Sequence, residues 1–231
     1  MPYLLLGLIA GFAAIERKGF LQAMLSRPVV LGPVAGLALG DAGAGLLVGA
    51  PLELLWLGAV NLGAALPLHE ALGTAAIAGG AVLAGRALGT GVTPQIAILA
   101  VLFCAPLALL GRKTDRLVEI ENEHLAERAE QELASHHAAA AVRQNLYGLA
   151  LPFFIAAVLA PVGAALCGAA IPVLLRDAPA AEVPLKLAWW AFTGLACAAG
   201  AKALRARRAG WAFGATALVV LAAGLLLGGR P

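Results

Sequence analysis

The sequence predicts an all-α integral membrane protein that crosses the bilayer several times. Of its 231 residues, 61% are hydrophobic and 13% are charged, and the mean hydropathy is +0.90. Soluble domains average about 45–50% apolar and about 25% charged residues. The apolar residues lie in long runs, and a spanning helix needs roughly 20 of them, so the length allows about six to eight membrane segments. This composition excludes an ordinary soluble enzyme and a disordered tail.

The first apolar run, residues 3–15, ends at three charged residues, Glu16, Arg17 and Lys18. Because a signal peptide carries its positive charges before the apolar run, this order favours a membrane helix. Two apolar stretches follow, at residues 28–68 and 71–111. Gly and Pro at 89–94 predict a turn between two helices within the second stretch.

The second half of the chain begins with a polar stretch at 112–145, which is rich in Glu and contains no Gly or Pro. Its apolar residues recur near a helical period, which predicts an amphipathic cytoplasmic helix. In the next apolar run, 146–175, three prolines indicate kinks or a re-entrant bend: Pro152, Pro161 and Pro172. A loop at 176–186 precedes the last two apolar segments, 187–201 and 210–228.

These segments are predicted to form a single membrane domain over 1–231. Its parts are the N-terminal segments 1–111 with a candidate site, the polar helix 112–145, and the C-terminal segments 146–231. Twelve of the sixteen Lys and Arg residues fall in three stretches, 16–27, 112–145 and 202–208. The positive-inside rule places all three in the cytoplasm and both chain ends outside. Since the stretches 16–27 and 112–145 are on the same side, the chain must cross the membrane an even number of times between residues 28 and 111. This allows four crossings, or two crossings and a re-entrant hairpin.

Three acidic residues stand in apolar surroundings: Asp41, Glu53 and Glu70. A charge at the bilayer centre costs about 2.5–3.5 kcal/mol, so each is a functional-site hypothesis. Asn61 follows Glu53 by eight residues, which gives overlapping faces on one continuous helix. A carboxylate and an amide can hold sugar hydroxyl groups. Trp56 could add an apolar stacking face.

Glycines accompany these polar residues. Four of them form small-xxx-small pairs that allow close backbone approach: Gly36, Gly40, Gly45 and Gly49. Gly58 and Gly63 would let a helix break and expose backbone groups to a ligand, as in transporters with discontinuous helices.

Each candidate also has a structural interpretation. Asp41 could cap the next helix, Glu53 could pair with Arg86, and Asn61 could form an interhelical hydrogen bond. Trp56 could be a core aromatic and the glycines packing residues. His69 and Glu70 lie at a hydrophobic boundary, which fits a surface loop as well as a site.

The stretch from Gly49 to Ala65, which reads GAPLELLWLGAVNLGAA, resembles the membrane IIC subunits of the mannose/fructose/sorbose family of bacterial phosphotransferase systems. The resemblance begins near Arg27-Pro28 and Gly40-Asp41 and continues through the order of the later segments. An acid is expected near His69 in such sequences, whereas here Glu70 stands one place further on. The C-terminal half is compressed and rich in Ala and Gly.

The resemblance implies a multi-pass protein of the bacterial inner membrane that moves a hexose or amino sugar within an oligomer. It implies a IID membrane partner and cytoplasmic IIA and IIB phosphocarriers, of which IIB phosphorylates the sugar. The sugar-binding residues predicted are Asp41, Glu53, Trp56, Asn61, Gly63, His69 and Glu70. Two other functions remain open: a non-transporting sensor or scaffold of the same system, and an ion-coupled secondary transporter that uses Asp41 or Glu53.

Other chemistry finds no support in the sequence. There is no GxxxxGK[ST] phosphate loop, and the three cysteines are far apart in apolar runs. His124, His136 and His137 lack the spacing of a metal site, and basic and aromatic residues do not interleave as nucleic-acid binding requires. No catalytic residue, cofactor or metal is therefore predicted, and the covalent chemistry is expected to belong to partner proteins.

Overall fold

The computed structural model describes residues 1–58, 68–203, 210–211 and 214. These ranges contain α-helices, one short 3₁₀ turn at Pro179–Ala181 and no β-strand, which confirms the predicted all-α class. The helices are α1 (Pro2–Lys18), α2 (Pro28–Ala38), α3 (Ala42–Trp56), α4 (Glu70–Leu88), α5 (Pro94–Ala134), α6 (Ala138–Asp177) and α7 (Glu182–Ala203).

Helices α4, α5 and α6 are each long and apolar enough to cross a membrane. The central one is α4, because every residue from Ala71 to Val82 is buried. It packs against both α5 and α6, while α1 lies on α6 and α4, and α7 contacts α5 and α3. The α6 face that is buried consists largely of small residues, which let the helices approach closely: Ala156, Ala160, Gly163, Ala164 and Cys167.

Helices α2 and α3 form a hairpin that enters and leaves at the same end of the bundle. They have 11 and 15 residues, which correspond to about 17 and 22 Å, and the hydrocarbon core is about 30 Å thick. Gly40 turns the chain between them with a φ of 84°. Of the two arrangements left open by the charge pattern, these lengths favour two crossings and a re-entrant hairpin.

Glycines bring the two helices of this hairpin into backbone contact. A Cβ atom added at Gly36 would lie 3.0 Å from the Gly45 Cα, and one added at Gly32 would lie 3.0 Å from the Gly49 Cα. Such distances leave no room for side chains between the helices. The interpretation of Gly36, Gly45 and Gly49 as packing residues is confirmed.

Most charged residues lie at one end of the bundle, which we call the charged end. It comprises the end of α1, the starts of α2 and α4, the end of α3, and the parts of α5 and α6 that project beyond the bundle. Contacts that define it include the Arg17–Asp115 ion pair and the hydrogen bond from the His69 N–H to the Ala108 carbonyl, 3.1 Å. The positive-inside rule predicts that this end faces the cytoplasm.

The polar stretch 112–145 differs from the single surface helix that its sequence predicts. Helix α5 continues without interruption from its apolar part to Ala134, and α6 begins at Ala138. The stretch is therefore the projecting half of a long helical hairpin, closed at Ser135–His137, where His136 has a φ of 62°. Gly111, at the membrane boundary, lies inside α5, and no Gly or Pro follows it before Ala134, so α5 extends into the polar sequence.

The remaining segment boundaries agree with the sequence in part. Helix α4 ends at Leu88, followed by Gly89 in a left-handed conformation, so the predicted turn at 89–94 is confirmed. Helix α6 is continuous through all three prolines, so the prediction of a re-entrant bend in this segment is wrong. The last predicted segment, 210–228, falls almost entirely outside the described residues.

Candidate functional site

The mouth of the α2–α3 hairpin holds an ion pair between Arg27 and Glu53. Arg27 Nε lies 3.6 Å from Glu53 Oε1, and the Val29 N–H donates to Glu53 Oε2 at 3.4 Å. Pro28 begins α2, so the Glu53 carboxylate also lies at the positive end of that helix dipole. The site is partly open, since 16% of the Glu53 side chain and 31% of that of Arg27 are exposed.

The proposed pairing of Glu53 with Arg86 is wrong. Arg86 lies in the last turn of α4, at the opposite end of the hairpin. There its guanidinium group covers the hairpin turn, and a Cβ atom added at Gly40 would lie 2.5 Å from Arg86 Nη2. The sequence could not distinguish the two arginines, because the choice depends on how the hairpin is oriented against α4.

Glu70, the first residue of α4, approaches the Arg27–Glu53 pair. Its carboxylate lies within electrostatic range of Arg27, Arg17 and Glu53. One of its oxygens, Oε2, is buried and has no hydrogen-bond partner among the described residues. Buried polar atoms are nearly always paired, so this oxygen is a candidate ligand contact.

His69 has a structural role at the start of α4. Its ring Nδ1 accepts a hydrogen bond of 3.1 Å from the Leu72 N–H, which caps the helix. The residue is 2% exposed. An accepting Nδ1 leaves the proton of a neutral ring on Nε2, so His69 is fixed in place rather than part of a loose surface loop.

Trp56 is the last residue of α3. Its ring is 7% exposed and reaches the first turn of α4, where a Cβ atom added at Gly73 would lie 3.1 Å from it. The interpretation of Trp56 as a core aromatic is confirmed. Gly73 follows Glu70 by three residues, so the ring lies within one helical turn of the start of α4.

Asp41 is not brought together with these residues. It caps α3 by accepting a hydrogen bond of 2.8 Å from the Ala44 N–H, which confirms its structural interpretation. Glu53 follows it by twelve positions along α3, which is about 18 Å along the helix. Asn61 and Gly63 lie outside the described residues.

A second charged cluster at the charged end was not identified from the sequence. Asp115 of α5 forms ion pairs with Arg17 and Lys18 of α1, the latter at 3.4 Å, and is 2% exposed. Next to it, Glu16 accepts a hydrogen bond of 3.0 Å from the Ser26 N–H. In the sequence, Asp115 is one of many acidic residues in a polar stretch, so nothing marks it as buried.

The described architecture is that of a multi-pass membrane protein with a re-entrant helix hairpin and a charged site at its mouth. Residues 1–201 match the family of the sorbose-specific IIC component of the phosphotransferase system (PTS). The chain therefore belongs to this IIC family.

Relatives and solved structures agree with this assignment. A putative N-acetylgalactosamine permease IIC component 2 of Escherichia coli (strain K12) is 44% identical over 93 residues. That match covers 40% of this chain and 65% of the relative, so it spans slightly less than two thirds of the relative's length.

Two solved structures share the fold. One, of a membrane protein, has a TM-score of 0.69 at 20% identity and covers 97% of this chain and 91% of its own. The other is the cryo-EM structure of the mannose transporter ManYZ with microcin E492, with a TM-score of 0.57 at 18% identity. It covers 97% of this chain and 90% of its own.

Proposed function

We propose that this chain is the sugar-translocating IIC subunit of a PTS permease in the bacterial inner membrane. In this proposal it works with a IID membrane subunit and with cytoplasmic IIA and IIB phosphocarriers, and its charged end faces the cytoplasm. The observation that carries the proposal is the unpartnered carboxylate oxygen of Glu70 beside the Arg27–Glu53 pair. Family membership supports it.

The chemistry of these residues suits an uncharged, hydroxyl-rich ligand. Carboxylate oxygens accept hydrogen bonds from hydroxyl groups, and the guanidinium group of Arg27 can donate to them. An aromatic ring such as Trp56 offers an apolar face to the C–H side of a sugar. Binding here would present the sugar at the end of the bundle where a cytoplasmic IIB partner could reach it.

The other predicted contacts remain part of the proposal. Asn61 and Gly63 belong to the connection between α3 and α4, and His69 ends that connection. Asp41, at the hairpin turn, is proposed to meet the sugar at a different stage of its passage from Glu53. No catalytic residue is assigned to this chain, since the phosphoryl group is proposed to come from IIB.

The proposal is tested by uptake of labelled sugars in cells that lack their own mannose-type permease. The cells would express this chain with the neighbouring IID, IIA and IIB subunits and be given a panel of hexoses and amino sugars. We expect accumulation of a sugar phosphate by the wild type and its loss in Glu53→Gln. Glu127→Gln is the matched control, because Glu127 is exposed on the projecting part of α5.

Three results would contradict the proposal. No accumulation of any sugar, with the complex intact in the membrane, would favour a sensor or scaffold. Accumulation of unphosphorylated sugar that stops when the proton gradient is collapsed would indicate an ion-coupled transporter. Normal uptake by Glu53→Gln would remove the site assignment while leaving the transport function.

A further inference from the structure

Thr74, in the second turn of α4, has a buried hydroxyl group that no other described residue binds. The residue is 0% exposed, and its Oγ1 has no hydrogen-bond partner in the described part of the chain. A threonine inside a helix ordinarily bonds a carbonyl one turn earlier. An unpaired buried hydroxyl destabilises the fold, because the group has lost its hydrogen bonds to water without replacement.

The other threonines in the described ranges show that this is particular to Thr74. Each has a hydrogen-bond partner: Thr90 with Gly91, Thr93 with Ile96, Thr114 with Gly111 and Thr193 with Trp189. Thr114 and Thr193 also lie inside helices, and each donates to a carbonyl one turn earlier at 2.9 Å. The acceptor of Thr193 is the Trp189 carbonyl, four residues earlier.

Glu70 precedes Thr74 by four residues on the same helix. Residues spaced in this way lie on one face, with Cβ atoms about 5–6 Å apart. Both carry a buried polar oxygen without a partner among the described residues, Oε2 in Glu70 and Oγ1 in Thr74. The Trp56 ring contacts Gly73, which lies between Glu70 and Thr74 in the sequence.

We propose that Thr74 is a sugar-contacting residue that binds one hydroxyl group while Glu70 binds another hydroxyl of the same ring. This inference rests on the proposed function and extends its site by one turn into α4. A carboxylate can only accept, whereas a threonine hydroxyl both donates and accepts. The pair therefore discriminates between sugars by the position and orientation of two hydroxyl groups.

The test compares Thr74→Val with Thr74→Ser in the complete permease. Valine has the shape of threonine without the hydroxyl group, and serine keeps the hydroxyl. We expect Thr74→Val to raise the KM for uptake on the order of tenfold, the effect of one hydrogen bond, and Thr74→Ser to remain near the wild type. Thr193→Val is the matched control and should leave the KM unchanged.

A set of deoxysugars identifies the contact itself. For the analogue that lacks the hydroxyl bound by Thr74, wild type and Thr74→Val should have the same KM, whereas for the other analogues the difference should persist. An equal loss with every analogue would overturn the inference, since a packing defect does not depend on one hydroxyl group. An unchanged KM for the parent sugar would also overturn it.

Thermal unfolding of the purified complex supplies an independent readout. Because the hydroxyl has no partner among the described residues, Thr74→Val should leave the Tm unchanged or raise it. A lowered Tm would show that the hydroxyl is bonded within the protein and would contradict the inference. Failure of the wild type to transport any sugar would instead contradict the proposed function, so the two failures are distinguishable.

Discussion

Two ion-paired carboxylates, Asp115 and Glu53, lie at the charged end, and their pairs differ in burial and in the helices they join. Asp115 is 2% exposed and binds both Arg17 and Lys18, which attaches α1 to α5. Glu53 is 16% exposed and meets Arg27 at 3.6 Å, which joins the two arms of the α2–α3 hairpin. The first pair is surrounded by protein, whereas the second is partly open.

This difference indicates a division of roles between the bundle and the hairpin. A buried charge that has two partners costs much to disturb, and it fixes two helices of the surrounding bundle. A partly exposed pair contributes little to stability and can exchange one partner for a ligand. We therefore expect substitutions at the first pair to act on folding, and those at the second to act on transport.

The largest effect is expected from Asp115→Asn. Loss of the carboxylate leaves Arg17 and Lys18 close together without their common partner, at a cost of about 3–5 kcal/mol. Thermal unfolding of the purified complex measures the loss, and less folded protein should be recovered from membranes. Glu119→Gln is the control, because Glu119 is 49% exposed and pairs with Lys18 at the longer distance of 3.7 Å. An equal loss of stability in both variants would contradict the structural role assigned to Asp115.

A smaller loss is expected from Gly45→Ala, in the hairpin. The added Cβ would lie 2.7 Å from the Gly32 carbonyl carbon and 3.0 Å from the Pro33 Cα. Since these are backbone atoms, α2 and α3 must separate, which costs about 1–3 kcal/mol.

Gly43→Ala is the control for the same helix, because the nearest atom to its added Cβ is an oxygen of the Asp41 carboxylate, 3.6 Å away. Alanine there should stabilise α3 slightly through its higher helix propensity. Opposite signs of the change in Tm for Gly43→Ala and Gly45→Ala would support the backbone contact, and equal signs would contradict it.

Asp41→Ala should cost about 1 kcal/mol, the value of a lost helix N-cap. Asp41→Asn keeps a side-chain oxygen for the Ala44 N–H and should restore the stability. If Asp41 also contacts the sugar, uptake by Asp41→Asn should remain reduced at normal Tm. Full uptake by this variant would limit Asp41 to its capping role.

The smallest effect on stability is expected from Glu53→Gln, about 0–1 kcal/mol. Arg27 remains 31% exposed, so water can replace the lost carboxylate charge. The comparison of the two pairs predicts that this variant combines a nearly normal Tm with lost uptake. A loss of stability as large as that of Asp115→Asn would show that both pairs are structural.

The sequence predicted much of the fold because its signals are local. Apolar runs located the membrane segments, Gly and Pro at 89–94 marked a turn, and the glycines at 36, 45 and 49 indicated close helix contacts. The extent of α5 into the polar stretch was not predicted, because a helix that leaves the membrane and a separate surface helix have similar composition.

The candidate site was predicted only in part. Glu53, Trp56 and Glu70 were selected as polar or aromatic residues in apolar surroundings, and they lie near one another. Asp41 was selected by the same criterion and lies about 18 Å from Glu53 along α3. The sequence did not point to Arg27, Asp115 or Thr74. Arg27 and Asp115 form ion pairs with residues that are distant in the sequence. Thr74 is notable only because its buried hydroxyl has no partner among the described residues.

By itself, the amino-acid sequence determined the all-α membrane class, the order of the segments and the resemblance to IIC subunits. These follow from hydropathy, helical period and short motifs, which act within a few residues. Only the tertiary structure decided that α2 and α3 form a re-entrant hairpin, that Glu53 pairs with Arg27 rather than Arg86, and that Thr74 has an unpaired hydroxyl. Ion pairing and burial depend on which helices pack together, and that depends on contacts between residues far apart in the chain.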